Sequence, residues 1–330
     1  MFSVDPHIWL QTVLAWPWML PLMEAVSALG YAPAYAIAIA VITFGVRLRV
    51  GITLMLAIAL MTGTTYYIKH TADLPRPSDV DARVLNKGKT GRALVDAGGA
   101  TTFWSLPSDQ AIAAFRTKPG ERDHGLISGH VGTATAAVVA ILLAWGIRQP
   151  LIWLLAALGY PALMALSRMY LGRHFLADVL GGWVIGIVAG VIAWQLIKQL
   201  TTSGRSIALL PITALTALWV GVAAAGGPIP DTQAGLMLGV FVLVLAFHYR
   251  GWPDTPAAPW RRVLGPLLFI ALNLLLAPAL TWLAQALSLD HAPWHGVLWY
   301  AIGVVVAVAI TLWLQTLGRK RQDLPQPAQA

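Results

Sequence analysis

Residues 167–197 read SRMYLGRHFLADVLGGWVIGIVAGVIAWQLI, and two features of this stretch decide the fold. From Phe175 to Ile197 the one charged residue is Asp178. A helix needs about 20 predominantly apolar residues to cross the hydrocarbon of a bilayer, and this run supplies them. Immediately before it stand Arg168, Arg173 and His174, polar groups gathered at one end of an apolar rod. A helix that begins in this way crosses a membrane and carries its chemistry where the bilayer meets water.

The rest of the chain agrees. Of 330 residues, 58% are hydrophobic and 11% charged, whereas a soluble domain carries roughly a quarter charged. Spans are read at 31–46, 50–69, 129–146, 150–167, 175–197, 206–225, 232–249, 263–287 and 295–317, with Gly, Pro or charged residues at most breaks. The fold class is therefore all-α, a polytopic transmembrane helical bundle. Residues 7–29 are also apolar, but Pro17, Pro21 and Glu24 interrupt them. Residues 1–30 are accordingly expected to form an interfacial or re-entrant helix. A core at 31–200 follows, with a long polar loop at 70–128, then an accessory four-helix transmembrane region at 201–318 and a disordered basic tail at 319–330. Within the loop, 86–92 and 119–125 read as turns and 107–116 as a short helix. No cleavable signal is expected, because the first Lys or Arg is Arg47.

Charge orients the spans. With the N-terminus outside, the inner loops hold Arg47, Arg49, Arg148, Lys198, Arg205, Arg250, Arg261 and Arg262, and the tail holds Arg319, Lys320 and Arg321. The outer loops 226–231 and 288–294 hold no Lys or Arg. That is the positive-inside pattern, with the C-terminus cytoplasmic. It accounts for the net charge of +8 without nucleic acid as a partner. With no cysteine in the chain, thiol nucleophiles, disulfides and thiolate metal sites are excluded. The other eleven basic residues lie in two outer regions, 69–122 and 168–173. Basic residues on the wrong side need another reason.

Three short motifs at these regions supply one. Lys69 and Arg76-Pro77 leave the second span; Ser128-Gly129-His130 opens the third; Ser167-Arg168, His174 and Asp178 join the fourth to the fifth. Lys69, Arg76 and Arg168 offer fixed cations to the peripheral oxygens of a phosphate, Arg in bidentate fashion. Ser128 and the Gly129 N–H sit at a helix N-terminus, which favours anions. His174 and Asp178 are spaced i, i+4, so the carboxylate holds one ring nitrogen and turns the other toward phosphorus. His130 is then free to protonate a leaving oxygen. Cationic side chains supply the charge stabilisation in this scheme, with no metal or other cofactor.

These residues resemble the type-2 phosphatidic acid phosphatase (PAP2) superfamily, whose signatures are KxxxxxxRP, PSGH and SRxxxxxHxxxD. The first and third match at every defined position, while Ile127 stands where the second has Pro. The resemblance covers about residues 31–195. It implies a membrane lipid phosphatase working through a phosphohistidine, with His174 as nucleophile, Asp178 as its orienting partner and His130 as general acid. It assigns Lys69, Arg76, Ser128, Gly129 and Arg168 to phosphate binding. Undecaprenyl diphosphate is the substrate expected first, then lipid A phosphates, phosphatidylglycerol phosphate and phosphatidic acid. The expected location is a bacterial inner membrane, with the site facing the periplasm or exterior. A lipid phosphotransferase would use the same residues, and a transporter or scaffold with a relic site is the non-enzymatic alternative. The expected partners are a lipid phosphate and the membrane, with the C-terminal helices as candidates for homo-oligomer contacts, and Ala223, Ala224, Ala225 and Gly226 are expected to mark close helix packing there. His70 and Asp73 lie inside the first motif, but adjacency alone does not bring them to substrate. Arg173 reads as an interface anchor as readily as a headgroup contact, and Arg122 and His124 read as a solvated turn.

Overall fold

The computed structural model describes residues 1–120, 122–202, 209–253, 258–289 and 294–316. The tail expected at 319–330 and the basic residues Arg205, Arg319, Lys320 and Arg321 lie outside the described residues. In chain order the helices are α1 (Asp5–Val13), α2 (Met19–Ala28), α3 (Ala32–Ala40), α4 (Leu48–Ala72), α5 (Pro77–Val80), α6 (Asp109–Thr117) and α7 (Gly129–Trp145). There follow α8 (Pro150–Trp153), α9 (Tyr160–Tyr170), α10 (Leu176–Thr202), α11 (Leu209–Ala224), α12 (Asp231–Arg250), α13 (Pro259–Ala286) and α14 (His295–Thr316). Wider π-type turns at Val41–Val46 and Leu154–Gly159 extend α3 and join α8 to α9. Among the described residues there are isolated bridges but no strand.

This is a multi-pass membrane protein. Among the described residues 6 helical stretches are long and apolar enough to cross a bilayer, and α2 with α3 make a seventh candidate bent by 52°. The spans read at 129–146 and 206–225 are the shorter apolar helices α7 and α11. The N-terminal stretch is two helices and not one. α1 stops before Trp16-Pro17, where the proline disfavours continued helix, and α2 begins at Met19.

What positions the rest is the contact between α7 and α10. Gly182, Gly186 and Gly190 repeat every fourth residue on one face of α10. A Cβ at Gly182 would lie 2.5 Å from the Ser128 carbonyl oxygen, and one at Gly190 would lie 2.9 Å from that of Ala136. One at Gly186 would meet the carbonyl of Gly132. The two backbones therefore touch, the arrangement that small residues allow in a membrane. The Ser128 N–H donates to the Asp178 carbonyl at 2.9 Å, which sets the starts of the two helices side by side. The small residues near Ala223 do not play this part: Ala223 is buried, but Gly226 has no neighbour within 4 Å of where its side chain would project.

The long polar loop is an ordered cap. Phe2, Val4, Leu74, Val80, Val84, Ala111 and Phe175 form a small apolar core of their own, which joins the N-terminus to the loop. The Ala100 N–H donates to the Phe2 carbonyl at 3.0 Å, and the Gln11 side chain binds both backbone groups of Leu85. α6 matches the short helix expected at 107–116, capped by the Ser108 hydroxyl, which accepts from the Ala111 N–H.

Gly186→Leu should therefore separate α7 from α10, since overpacking a tight interface costs on the order of 1–3 kcal/mol or more. Thermal unfolding in detergent should show a clear drop in midpoint. Gly221→Leu, at a site with no neighbour within 4 Å, should leave it unchanged; equal drops would refute the packing argument.

Candidate active site

Each motif is shaped locally before it meets the others. Lys69 lies in the last turn of α4, which ends as Asp73 takes a left-handed conformation with φ of 46°. The chain then runs extended into Arg76, and Pro77 starts α5 with φ already set for a helix. The Asp79 carboxylate accepts from the Arg76 N–H at 3.1 Å and fixes this entry. Lys69 Nζ and Arg76 Nε both donate to the His124 carbonyl, each at 3.3 Å. A single backbone oxygen of the cap thus holds two cations from different elements.

At the start of α7 the Ser128 hydroxyl accepts from the Val131 N–H at 3.5 Å. His130 follows, its ring edge-to-face with Tyr31 at 4.6 Å between centroids. Gly30 must be glycine here, because a Cβ would run into the His130 ring. Ile127 fills the space against Gly181 of α10, so the position occupied by Pro in the family pattern is packed by shape. At the end of α9, Ser167 donates to the Met23 carbonyl and Arg168 Nη1 to the Ser27 hydroxyl, both at 2.6 Å. Gly172, with φ of 66°, turns the chain back toward α10 against the Leu85 carbonyl.

His174 stands at that turn, 1% exposed. Its Nδ1 lies 3.4 Å from Asp178 Oδ2, and the same oxygen accepts from the Phe175 N–H at 2.8 Å. A carboxylate there selects the tautomer with hydrogen on Nδ1 and leaves the Nε2 lone pair for bonding. Burial, together with the nearby Lys69 and Arg168 charges, holds His174 well below the ordinary histidine value of 6.5. Its neutral, nucleophilic form is the resting one.

Lys69, Arg76, Gly129, His130, Arg168 and His174 line one cavity of about 780 Å³. Ser128 and Asp178 are fully buried and stand behind its wall, Ser128 as the cap of α7 and Asp178 behind His174. Arg168 Nε, Arg173 Nε and His130 Nε2 are buried and have no hydrogen-bond partner among the described residues. Unsatisfied donors beside cations are what an anion site needs.

Residues 50–202 match the model of the PAP2 superfamily. They form a PAP2 superfamily domain. Comparison with curated proteins and with solved structures returns no match.

The PAP2 domain spans α4 to α10, yet its cavity draws on residues outside it and on others that the motifs do not name. Ser27 and Tyr31, from α2 and the bend after it, hold Arg168 and His130. Arg173 lines the cavity and donates to Asp123 Oδ2 at 3.1 Å; Arg92 donates to the same oxygen at 2.8 Å, and Arg76 Nη1 faces it at 3.3 Å. His70 and Asp73 do not line the cavity. Asp73 instead pairs with the His124 ring at 3.0 Å, and with Arg116 and Arg122 at 3.8 and 3.6 Å. Arg122 and His124 are therefore part of the clasp that holds the cap to the end of α4. The one available sequence signal for Asp123 is its sign, an acid within a strongly basic stretch.

Asp123 thus places a carboxylate where arginines of the cavity converge, so an anion entering there would compete with it. Asp123→Asn should tighten inhibition by vanadate or phosphate about tenfold. Unchanged or weaker inhibition would mean that the carboxylate serves to hold the arginines in place.

Proposed function

We propose that the protein removes phosphate from a membrane lipid through a phosphohistidine at His174. The observation that carries this is the convergence of six motif residues on one cavity that already contains a buried neutral imidazole and unsatisfied cationic donors. The family match and the resemblance of the motifs support the same reading.

The chemistry follows from the groups. Nε2 of His174 attacks phosphorus in line as the bond from phosphorus to the lipid-side oxygen breaks. His130 gives its proton to that departing oxygen. Asp178 holds the Nδ1 hydrogen and balances the charge that His174 gains on phosphorylation. Lys69, Arg76 and Arg168 stabilise the equatorial oxygens in both steps. Water, deprotonated by His130, then attacks the phosphohistidine, the bond between phosphorus and nitrogen breaks, and inorganic phosphate leaves.

Substrate class and sidedness belong to the same proposal. The distribution of Lys and Arg supports a site on the non-cytoplasmic face of the membrane, and the family resemblance favours a bacterial inner membrane. On that face the reading favours undecaprenyl diphosphate, then lipid A phosphates, phosphatidylglycerol phosphate and phosphatidic acid. The motifs touch only the phosphate that all of these share.

The test is a phosphate-release panel over these lipids with the full chain in detergent. Release should persist in EDTA and fall at least about a thousandfold in His174→Ala. Asp178→Asn and His130→Ala should each cost on the order of a hundredfold or more. Loss of release on chelation with rescue by Mg²⁺, or transfer of labelled phosphate to a second lipid without free phosphate, would overturn this reading.

A further inference from the structure

The cavity does not end at the phosphate site. From Lys69, His130 and His174 it continues between α3 and α4 on one side and α12, α13 and α14 on the other. Its far walls include Ile39, Met55, Ile58, Leu236, Phe269 and Val304. This end is sealed from solvent: Met55 is 1% exposed, Val304 5% and Phe269 6%. Leu274 and Tyr300 also line the cavity, yet they are 72% and 39% exposed, so an opening lies on the flank of the bundle beside α13 and α14. That flank is apolar: Leu267, Leu275, Trp282 and Leu298 are all exposed on the same two helices.

These walls are made largely by helices outside residues 50–202. They are held in register by polar contacts. The Thr62 hydroxyl of α4 donates to Gln233 of α12 at 2.6 Å, which ties the additional region to the PAP2 domain beside the cavity. Pro266 and Pro278 lie within α13, either side of the wall segment from Phe269 to Ala277. Prolines at such places lift backbone hydrogen bonds and bend a helix. Gln233, Asn273 and Tyr300 of these helices, with Thr62 and Thr65 of α4, place polar groups among the apolar walls of the cavity.

We propose that α12, α13 and α14 form the wall of a channel for the hydrocarbon chain of the substrate, so that the region beyond the PAP2 domain selects lipids by chain. The occupant follows from charge and polarity together. One end is lined by cations and fits a phosphate, the other is apolar and fits methylenes, and the mouth faces the bilayer. A volume of about 780 Å³ is within the range of roughly 300–1,000 Å³ typical of sites that enclose a ligand. A short soluble phosphate ester would leave the apolar walls unfilled and forgo their contribution. Remote binding of this kind is also a source of rate at the reacting phosphorus.

This inference rests on the lipid phosphatase reading, and the experiment separates the two. A lipid phosphate carrying a diazirine at the end of its chain is photolysed with the full-length protein, and labelled peptides are mapped. Labels should fall on α13 and α14 and disappear in Val304→Trp. Labels confined to the outer surface, or unaffected by that substitution, overturn the channel. In parallel, kcat/KM is measured over one headgroup with short and long chains. The long-to-short ratio should fall about tenfold in Val304→Trp and in the milder Ala277→Phe. A ratio that stays constant overturns the channel, even where absolute rates drop. Labelling of α13 and α14 without any phosphate release would sink the phosphatase reading and keep the channel; release without that labelling would do the reverse.

Discussion

Positive charge held out of water, with too little carboxylate to match it, is the constraint on which the structure depends. Lys69, Arg76, Arg168 and Arg173 line the cavity, and among the described residues Asp123 is the one acid that lines it with them. Arg76 and Arg168 are 5% and 3% exposed. Ionised groups cost several kcal/mol to bury unless paired and hydrogen-bonded. Here Lys69 and Arg168 have neutral partners, the His124 carbonyl and the Ser27 hydroxyl, while Arg76 and Arg173 share the Asp123 carboxylate. The neutral groups hold their cations without cancelling the charge. An arrangement of this kind is the electrostatic basis of the function proposed above.

The scaffold is stiff where this charge is concentrated. Backbone contact between α7 and α10 sets the Ser128 and Asp178 main chains 2.9 Å apart, N to O. The Asp178 carboxylate is thereby fixed behind His174, and His130 is fixed one residue into α7. The cap contributes from above through the His124 carbonyl, and the N-terminal helices contribute from the side through Ser27 and Tyr31. His7 completes that side. It is buried, its Nδ1 lies 3.0 Å from the Met169 carbonyl, and its ring meets Phe175 edge-to-face. Burial lowers its pKa to about 4, so it packs as a neutral ring beside the turn that carries His174. Four separate stretches of chain therefore meet around one imidazole.

Much of this was legible in the sequence because its physics is periodic or sharply spaced. Apolar runs of membrane length located the 6 long spans among the described residues, while the stretches read at 31–46, 129–146 and 206–225 are half of a bent pair and two shorter helices. The i, i+4 spacing of His174 and Asp178 marked them as partners, but His174 lies in the turn before α10 and not on the helix, and the contact is made because Asp178 in the first turn of α10 accepts from the Phe175 N–H. The Gly182, Gly186, Gly190 repeat is equally regular, although the run of small residues at 223–226 is the more conspicuous in the sequence. What stayed hidden depends on long-range closure. Nothing near Ser27 or Tyr31 announces that α2 and the bend after it fold over Arg168, well over a hundred residues away. Asp73 and His124 look like members of a motif and a solvated turn, yet each finds its partner in the other. The long loop, polar and without periodicity, becomes an ordered cap because the N-terminus supplies Phe2 and Val4 to its core.

The two halves of the cavity differ in legibility for the same reason that they differ in chemistry. A phosphate demands charges and donors at set distances, so the residues that hold it are few in kind, and substitutions among them are not neutral. A hydrocarbon chain demands only apolar surface of suitable shape, and Ile, Leu, Val, Phe and Met serve almost interchangeably. A motif can therefore mark the first and never the second. The walls built by α12, α13 and α14 are, in sequence, indistinguishable from helices that face lipid. What sets them apart is placement: Gln233 of α12 is bonded to Thr62 of α4, and Phe269 and Val304 line the same cavity as His174. Specificity for the chain is thus a property of helix placement, and a phosphate motif shared by two proteins carries no information about which lipids they accept.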